Sequence, residues 1–299
     1  MKAIMYHYIR RFDKEYPGFR FLDVDNFVQQ LDYFQDRWGF LAKEEFLESI
    51  DMGVSRPGVV LTFDDGFKEH YNTVLPLLRE RGLWGLFYIP TAHYTNEKKE
   101  LLDVHRIHYL VSKYDSAMLL NEINHNIDSS MIEPERLRDR ESELYLNQAN
   151  EDSVLQFKKL MNYYLKYEHK KPILDFLANK YLTEAEIYDK LYLTIEELQE
   201  IENHGNIVGA HTHNHKVLSR LNTVDQKEEI DNSFLFLNSF LNMDIKSFCY
   251  PYGTAATFNT DTIKILSDLK VHHAFMFTNT ECGQTLHRYQ IERIDCNRF

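Results

Sequence analysis

Two adjacent carboxylates, Asp64 and Asp65, end an apolar, β-branched run, Gly58-Val59-Val60-Leu61-Thr62-Phe63, and Gly66 follows at once. A carboxylate pair can divide a hydrolytic task, one group holding a cation and the other taking a proton from water. Neighbouring residues at a strand end point to opposite sides, so Asp64 and Asp65 should meet different partners. A second cluster, His211-Thr212-His213-Asn214-His215, follows the apolar run Ile207-Val208-Gly209-Ala210. On a helical turn, His211 and His215 would share one face, a common arrangement for a divalent metal. Catalytic metal sites use three protein ligands and keep a position for water. His211, His215 and Asp65 make such a set if the strand end of Asp65 faces that of His211. Asp64 would then stand beside the reacting water as general base. The plainer readings are an acidic turn and a polar loop, since Asp and Gly favour turns and the chain holds 14 histidines.

A third segment, Phe248-Cys249-Tyr250-Pro251-Tyr252-Gly253, closes another apolar run. Pro251 fixes φ and stiffens the turn. The backbone N–H of Tyr252 could point into a crevice and stabilise a developing oxyanion. Taken alone, the segment reads better as an ordinary Tyr-Pro-Tyr-Gly turn with no function.

These residues need elements that hold strand ends around one crevice, as parallel α/β folds do. The chain supplies an alternation of strand and helix patterns. Strands are expected over 3–9, 58–63, 84–90, 206–210, 247–250, 272–278 and 291–296, with helices over 24–36, 44–50, 67–81, 194–204, 225–241 and 260–269. Phe27, Leu31 and Phe34 fall on one helical face, and Thr194 with Glu197 is spaced as a capping box. Residues 92 to about 190 break the alternation: they are charged, poor in glycine and helical in pattern, with Phe157, Leu160, Met161, Tyr164 and Leu165 at stripe spacing. Either a barrel or an open parallel sheet fits the alternation.

A net charge of −12 disfavours nucleic acid and anionic membrane surfaces as partners. No apolar run approaches membrane-spanning length, so no membrane span is expected. Cys249, Cys282 and Cys296 are widely spaced, which indicates neither a thiolate metal cluster nor a disulfide framework and suits a reducing compartment. The first residues, Met1-Lys2-Ala3-Ile4-Met5-Tyr6-His7, lack a signal-peptide pattern, and a cytoplasmic location is the expectation. No Gly-rich phosphate loop follows a strand, so nucleotide-cofactor chemistry is not indicated.

Thr62-Phe63-Asp64-Asp65-Gly66, His211-Thr212-x-x-His215 and Phe248-x-Tyr250-Pro251-Tyr252-Gly253 together resemble the first three motifs of the polysaccharide deacetylases, carbohydrate esterase family four. They stand in the family's order, each after an apolar strand, and the resemblance covers roughly residues 1–91 and 190–299. It implies an α/β fold, a distorted (β/α)7 TIM-like barrel, and metal-dependent hydrolysis of N-acetyl groups on amino sugars. Carried over by position, Asp64 is the base, Asp65, His211 and His215 hold the metal, and the Tyr252 N–H helps polarise the acetyl carbonyl. The metal would be zinc, with cobalt or nickel also compatible with this donor set.

Two family features are missing. The third motif carries no arginine to orient the catalytic Asp, and Arg293 could reach the site from the last strand. The usual late Leu-x-x-His motif for the general acid is absent as well. His7, at the end of the first strand, is preferred over His287 for that role. Met5-Tyr6-His7 also resembles the start of the biofilm-adhesin, or poly-N-acetylglucosamine, deacetylase branch. The chain thus divides into barrel segments 1–94 and 191–299 and a helical insertion over 95–190, read as a cap or a subunit contact through which the chain could self-associate. The expected substrate is an acetylated amino sugar of a bacterial surface polysaccharide or its precursor, free, nucleotide-linked or lipid-linked. The alternatives are hydrolysis of another non-peptide C–N bond, such as a formamide or cyclic amide, and an inactive barrel serving as an interaction module.

Overall fold

Seven of the apolar runs pair into one parallel sheet, in a computed structural model that describes residues 1–133 and 151–299. The strands are β1 (Lys2–Tyr6), β2 (Val59–Asp64), β3 (Gly85–Ile89), β4 (Ile207–Ala210), β5 (Ser247–Cys249), β6 (His273–Phe275) and β7 (Arg293–Asp295). Their spatial order is β6-β5-β4-β3-β2-β1-β7, and every neighbouring pair is parallel. Ala3 lies between Val60 and Arg293, and Tyr88 between Asp64 and Gly209. At the open edge, Phe275 bridges Ile291, just ahead of β7. There the Ala274 N–H donates to the Arg288 carbonyl, the Ile291 N–H to Ala274 and the Met276 N–H to Ile291. The sheet therefore curls into the distorted (β/α)7 barrel expected from the sequence.

Alternation along the strands separates two layers. Leu61, Phe63, Phe87, Val208 and Phe248 pack outward against helices, in one cluster with Phe27, Leu31, Leu78, Leu198 and Ile230. Val60, Leu86, Tyr88, Ile207, Cys249 and Phe275 form a second cluster with Phe46 and Ile50. Thr62 and Asp64 share the parity of Val60, and so face that second layer. The longer helices that accompany this sheet are α1 (Val24–Arg37), α2 (Lys43–Met52), α3 (Leu75–Glu80), α4 (Ile195–Asn203), α5 (Thr223–Asn238) and α6 (Thr260–Asp268). The Thr194–Glu197 capping box forms at the start of α4 as its spacing predicts. The helix expected over 67–81 is broken up: a π-turn over His70–Val74 precedes α3. Pro76 lacks the N–H that an unbroken α ladder needs there. A short parallel pair, Ile9–Arg10 with Leu22–Asp23, stands apart from the main sheet.

Contacts divide the chain into two units: Met1–Arg11, Phe21–Glu97 and Lys190–Phe299 form the barrel, and Phe12–Arg20 joins Lys98–Asp189 in the other. The second unit is helical, with Asp103–Lys113, Ser116–Asn124, Asp152–Lys159 and Tyr167–Tyr181. Ile107, Leu110, Leu119, Phe157, Met161, Leu174 and Leu177 form its core. Its buried Arg106 bonds Glu184 at 2.7 Å and Asp175 at 2.8 Å. Of the insertion expected over 95–190, residues 134–150 lie outside the described residues. Among the described residues, no helix is long and apolar enough to cross a membrane.

Candidate active site

The barrel strands present their chemistry at their C-terminal ends, and each candidate there is held by a local feature of the chain. Asp64 is the last residue of β2 and keeps extended geometry, whereas Asp65 turns to φ 77°. This abrupt change sends the two carboxylates to different partners. Asp64 faces Arg293, whose Nη1 and Nη2 lie 2.8 Å from Oδ1 and Oδ2 respectively. Asp65 faces the histidines: its Oδ1 is 3.7 Å from His211 Nε2 and 3.3 Å from His215 Nε2. Asp65, His211 and His215 are all buried, and their candidate ligand atoms lie within 4.8 Å of one another.

The histidine segment is not a helical turn. It is a loop, with Thr212 at φ 62° and His215 at φ 55°. The two rings nevertheless converge, edge to face, with centroids 4.8 Å apart. Four of the six non-glycine residues with positive φ among the described residues are Asp65, Thr212, His215 and Tyr252. Such backbone is costly for L-residues and concentrates where a site demands it. The middle histidine points elsewhere: Thr91 Oγ1 lies 2.8 Å from His213 Nδ1, and the His213 carbonyl accepts from the N–H groups of Thr91 and Ala92.

The donor set suits a divalent cation. The Cys249 carbonyl, which can only accept, lies 2.7 Å from His211 Nδ1. The ring proton therefore sits on Nδ1, and the Nε2 lone pair is turned toward Asp65. Burial also lowers the His211 pKa to about 4, which keeps the ring neutral and able to ligate. A carboxylate and two imidazoles around one small space fit a zinc-like ion.

Around Asp64 the charges are matched. Burial alone would raise its pKa, but the adjacent Arg293 guanidinium outweighs burial and holds it below the usual carboxylate value. Asp64 therefore remains ionised. The Arg293 guanidinium is 1% exposed and also donates to Thr62 Oγ1 at 3.1 Å. The Cys249 thiol lies 3.8 Å from Asp64 Oδ2, and burial pushes its pKa well up, so it stays protonated.

His7 follows β1, and its Nε2 is 3.7 Å from Asp64 Oδ2, with the side chain partly open to solvent. His70, from the π-turn, lies with Nε2 2.8 Å from the His7 carbonyl and fixes that bend. His287 sits in an exposed loop ahead of β7. Tyr252 has φ 62°, and its ring centroid is 5.2 Å from that of His215. Gly253, at φ 69°, continues the turn, and a Cβ there would lie 2.9 Å from Phe277 Cβ. Six sequence-derived candidates, Asp64, Asp65, His211, His215, His7 and Tyr252, thus lie at or just past the C-terminal ends of their strands, whereas Arg293 starts β7, level with Ala3, and reaches Asp64 from within the barrel through its long side chain. Sequence reasoning missed His70, within the run read as plain helix, and Glu229, on α5, which binds the histidine loop. Neither stands in a recognisable spacing.

The same architecture occurs in solved structures. The Streptococcus pyogenes deacetylase PplD in complex with acetate is 18% identical, with a TM-score of 0.58 over 99% of this chain and 91% of that one. IcaB from Ammonifex degensii is 15% identical, with a TM-score of 0.54 over 98% and 90%. The BpsB deacetylase domain from Bordetella bronchiseptica is 14% identical, with a TM-score of 0.53 over 98% and 94%. At such identities these likenesses establish the fold. No curated protein matches the sequence. The family model of polysaccharide deacetylase matches residues 52–109 and 168–274, more than half of the chain and all three carboxylate, histidine and Tyr-Pro-Tyr-Gly segments. The chain therefore belongs to the polysaccharide deacetylase family and is an N-deacetylase hydrolase.

Proposed function

We propose that this chain removes N-acetyl groups from an amino sugar of a bacterial surface polysaccharide or its precursor, using one divalent cation held by Asp65, His211 and His215. The observation that carries the reading is the convergence of those three ligand atoms within 4.8 Å, beside an ionised Asp64 bonded twice to Arg293. A bound cation would supply Lewis-acid activation of water and of the acetyl carbonyl. Asp64 takes a proton from the attacking water, and Arg293 keeps it ionised and oriented. The Tyr252 N–H donates to the carbonyl oxygen as negative charge develops there. His7, across from Asp64, gives a proton to the sugar nitrogen as the C–N bond breaks, and acetate and a free amine result.

Zinc is the proposed ion, with cobalt or nickel as substitutes. The three cysteines form no disulfide, which supports a reducing compartment and hence a precursor substrate on the cytoplasmic side. The helical unit is proposed to select short or lipid-linked saccharides. A deletion variant that folds and keeps its substrate range contradicts that part.

The test is acetate release from N-acetylglucosamine oligomers and from nucleotide- and lipid-linked N-acetyl sugars. Activity lost with chelator, regained with zinc or cobalt and abolished in Asp64→Asn supports the reading. Full activity of Asp64→Asn contradicts it.

A further inference from the structure

The histidine loop is strained, yet His211 and His215 must both face Asp65 before any ion arrives. Thr212 and His215 are in left-handed backbone, which side chains with a Cβ rarely adopt. The buried Thr212 hydroxyl makes no hydrogen bond among the described residues, so its side chain does not offset this cost. Something outside the loop must therefore hold it. α5 supplies a buried carboxylate: Glu229, 5% exposed, accepts from the Asn214 backbone N–H at 2.7 Å and from Asn214 Nδ2 at 2.7 Å. Lys216 Nζ lies 3.3 Å from the same side chain. Asn214 directly precedes His215, so both bonds act on the backbone that sets the second imidazole. A carboxylate that accepts a backbone N–H and a side-chain amide together fixes orientation as well as distance. The other side of the loop is tied through His213 to Thr91 and Ala92.

We propose that Glu229 is a positioning residue for the metal centre, holding the strained loop so that His215 meets Asp65 and His211 in advance of the cation. The proposal rests on the reading of Asp65, His211 and His215 as metal ligands. Glu229 touches neither the ligand atoms nor the reacting groups; it acts through Asn214. Removing it releases the loop to relaxed backbone, and the cation must then reorder the loop on binding. Supporting residues of this kind typically alter metal affinity by ~10- to 100-fold.

The test uses the full-length chain stripped with chelator and titrated with Co2+, followed by calorimetry and by the visible absorption of the bound ion. Wild type, Glu229→Gln, Glu229→Ala, Asn214→Ala and the Asn214→Ala/Glu229→Ala double variant are compared, with the Tm of each metal-free protein. Glutamine keeps one acceptor, so the dissociation constant should rise from wild type to Glu229→Gln to Glu229→Ala, ~10- to 100-fold at the end of the series. Asn214→Ala alone should weaken binding by less, and should add nothing in the Glu229→Ala background. The cobalt spectrum should lose intensity or shift in step with the loss of affinity. A lowered Tm with cobalt affinity unchanged makes Glu229 a purely structural group and overturns the proposal, as does unchanged affinity at unchanged Tm. Should Glu229→Ala fail to fold, Glu229→Gln and the exposed Asn214→Ala still decide the point. A wild type that binds no cobalt removes the reading of the metal centre and this inference with it; equal binding by wild type and Glu229→Gln removes the clamp alone.

Discussion

Replacing Arg293 with methionine takes away the guanidinium bonded to Asp64 while keeping a chain of similar length in the barrel interior. Asp64 and Arg293 are both buried, and the pair shares two bonds of 2.8 Å. Breaking a buried pair by removing one partner costs about 3–5 kcal/mol, because the remaining charge is left uncompensated. Asp64 can escape part of that cost by taking up a proton, since burial still favours its neutral form and the opposing charge has gone. The protonated acid cannot serve as base. The acid limb of the pH profile of kcat/KM should therefore move to higher pH, and activity at neutral pH should fall. Asp64→Asn should be destabilised for the converse reason, with Arg293 left buried and charged. The double variant carries neither charge, so it should be no less stable than the worse single variant. Chemical denaturation of the four proteins gives the stability cycle, and acetate release against pH gives the acid limb. Additive destabilisation in the cycle, or an acid limb unmoved in Arg293→Met, refutes the assignment of Arg293 as the group that holds Asp64 ionised.

Other outcomes follow from single groups. His7→Asn should lower kcat with little change in cobalt affinity, because His7 faces Asp64 and lies outside the ligand group; a parallel loss of metal binding contradicts the assigned role. Burial lowers the His70 pKa to about 4, whereas an unfolded chain takes up that proton near pH 6.5. Stability from His70 is thus fully present above pH 6.5 and is lost as pH falls, by about 3 kcal/mol at pH 4. His70→Gln, which does not titrate there, should show a shallower loss over the same range in denaturation at several pH values. Gly253→Ala puts a Cβ 2.9 Å from Phe277 Cβ at φ 69°. The left-handed backbone and the overlap should together cost about 2–4 kcal/mol in denaturation, with activity falling as Tyr252 shifts.

The site was largely legible because its chemistry is local. Each of the three motifs is a strand followed by residues at its C-terminal end, and parallel strands bring such ends together without further instruction. The partner of Asp64 was legible only as one of two readings of Arg293. Parity along β7 decides between them: Arg293 faces the layer of Thr62 and Asp64, while Ile294 packs outward. The helical-turn reading of His211 and His215 does not describe the backbone, which is a loop, although both rings still converge on Asp65. Spacing of four suits a helix, but His213 and Asn214 are tied to Thr91 and Glu229 on other elements, and Thr212 and His215 on either side of them take left-handed backbone. The break in the helix over 67–81 had a visible cause in Pro76, whereas the bond from His70 to the His7 carbonyl spans two motifs and leaves no pattern in either.

The most direct test of the metal centre is anomalous X-ray diffraction from crystals grown with zinc, recorded on both sides of the zinc absorption edge. The account predicts a single strong edge-dependent peak bonded to a carboxylate oxygen of Asp65 and to Nε2 of His211 and of His215, with Asp64 beside it and still paired to Arg293. A peak held by other residues, or none at this position in protein that binds zinc, contradicts it.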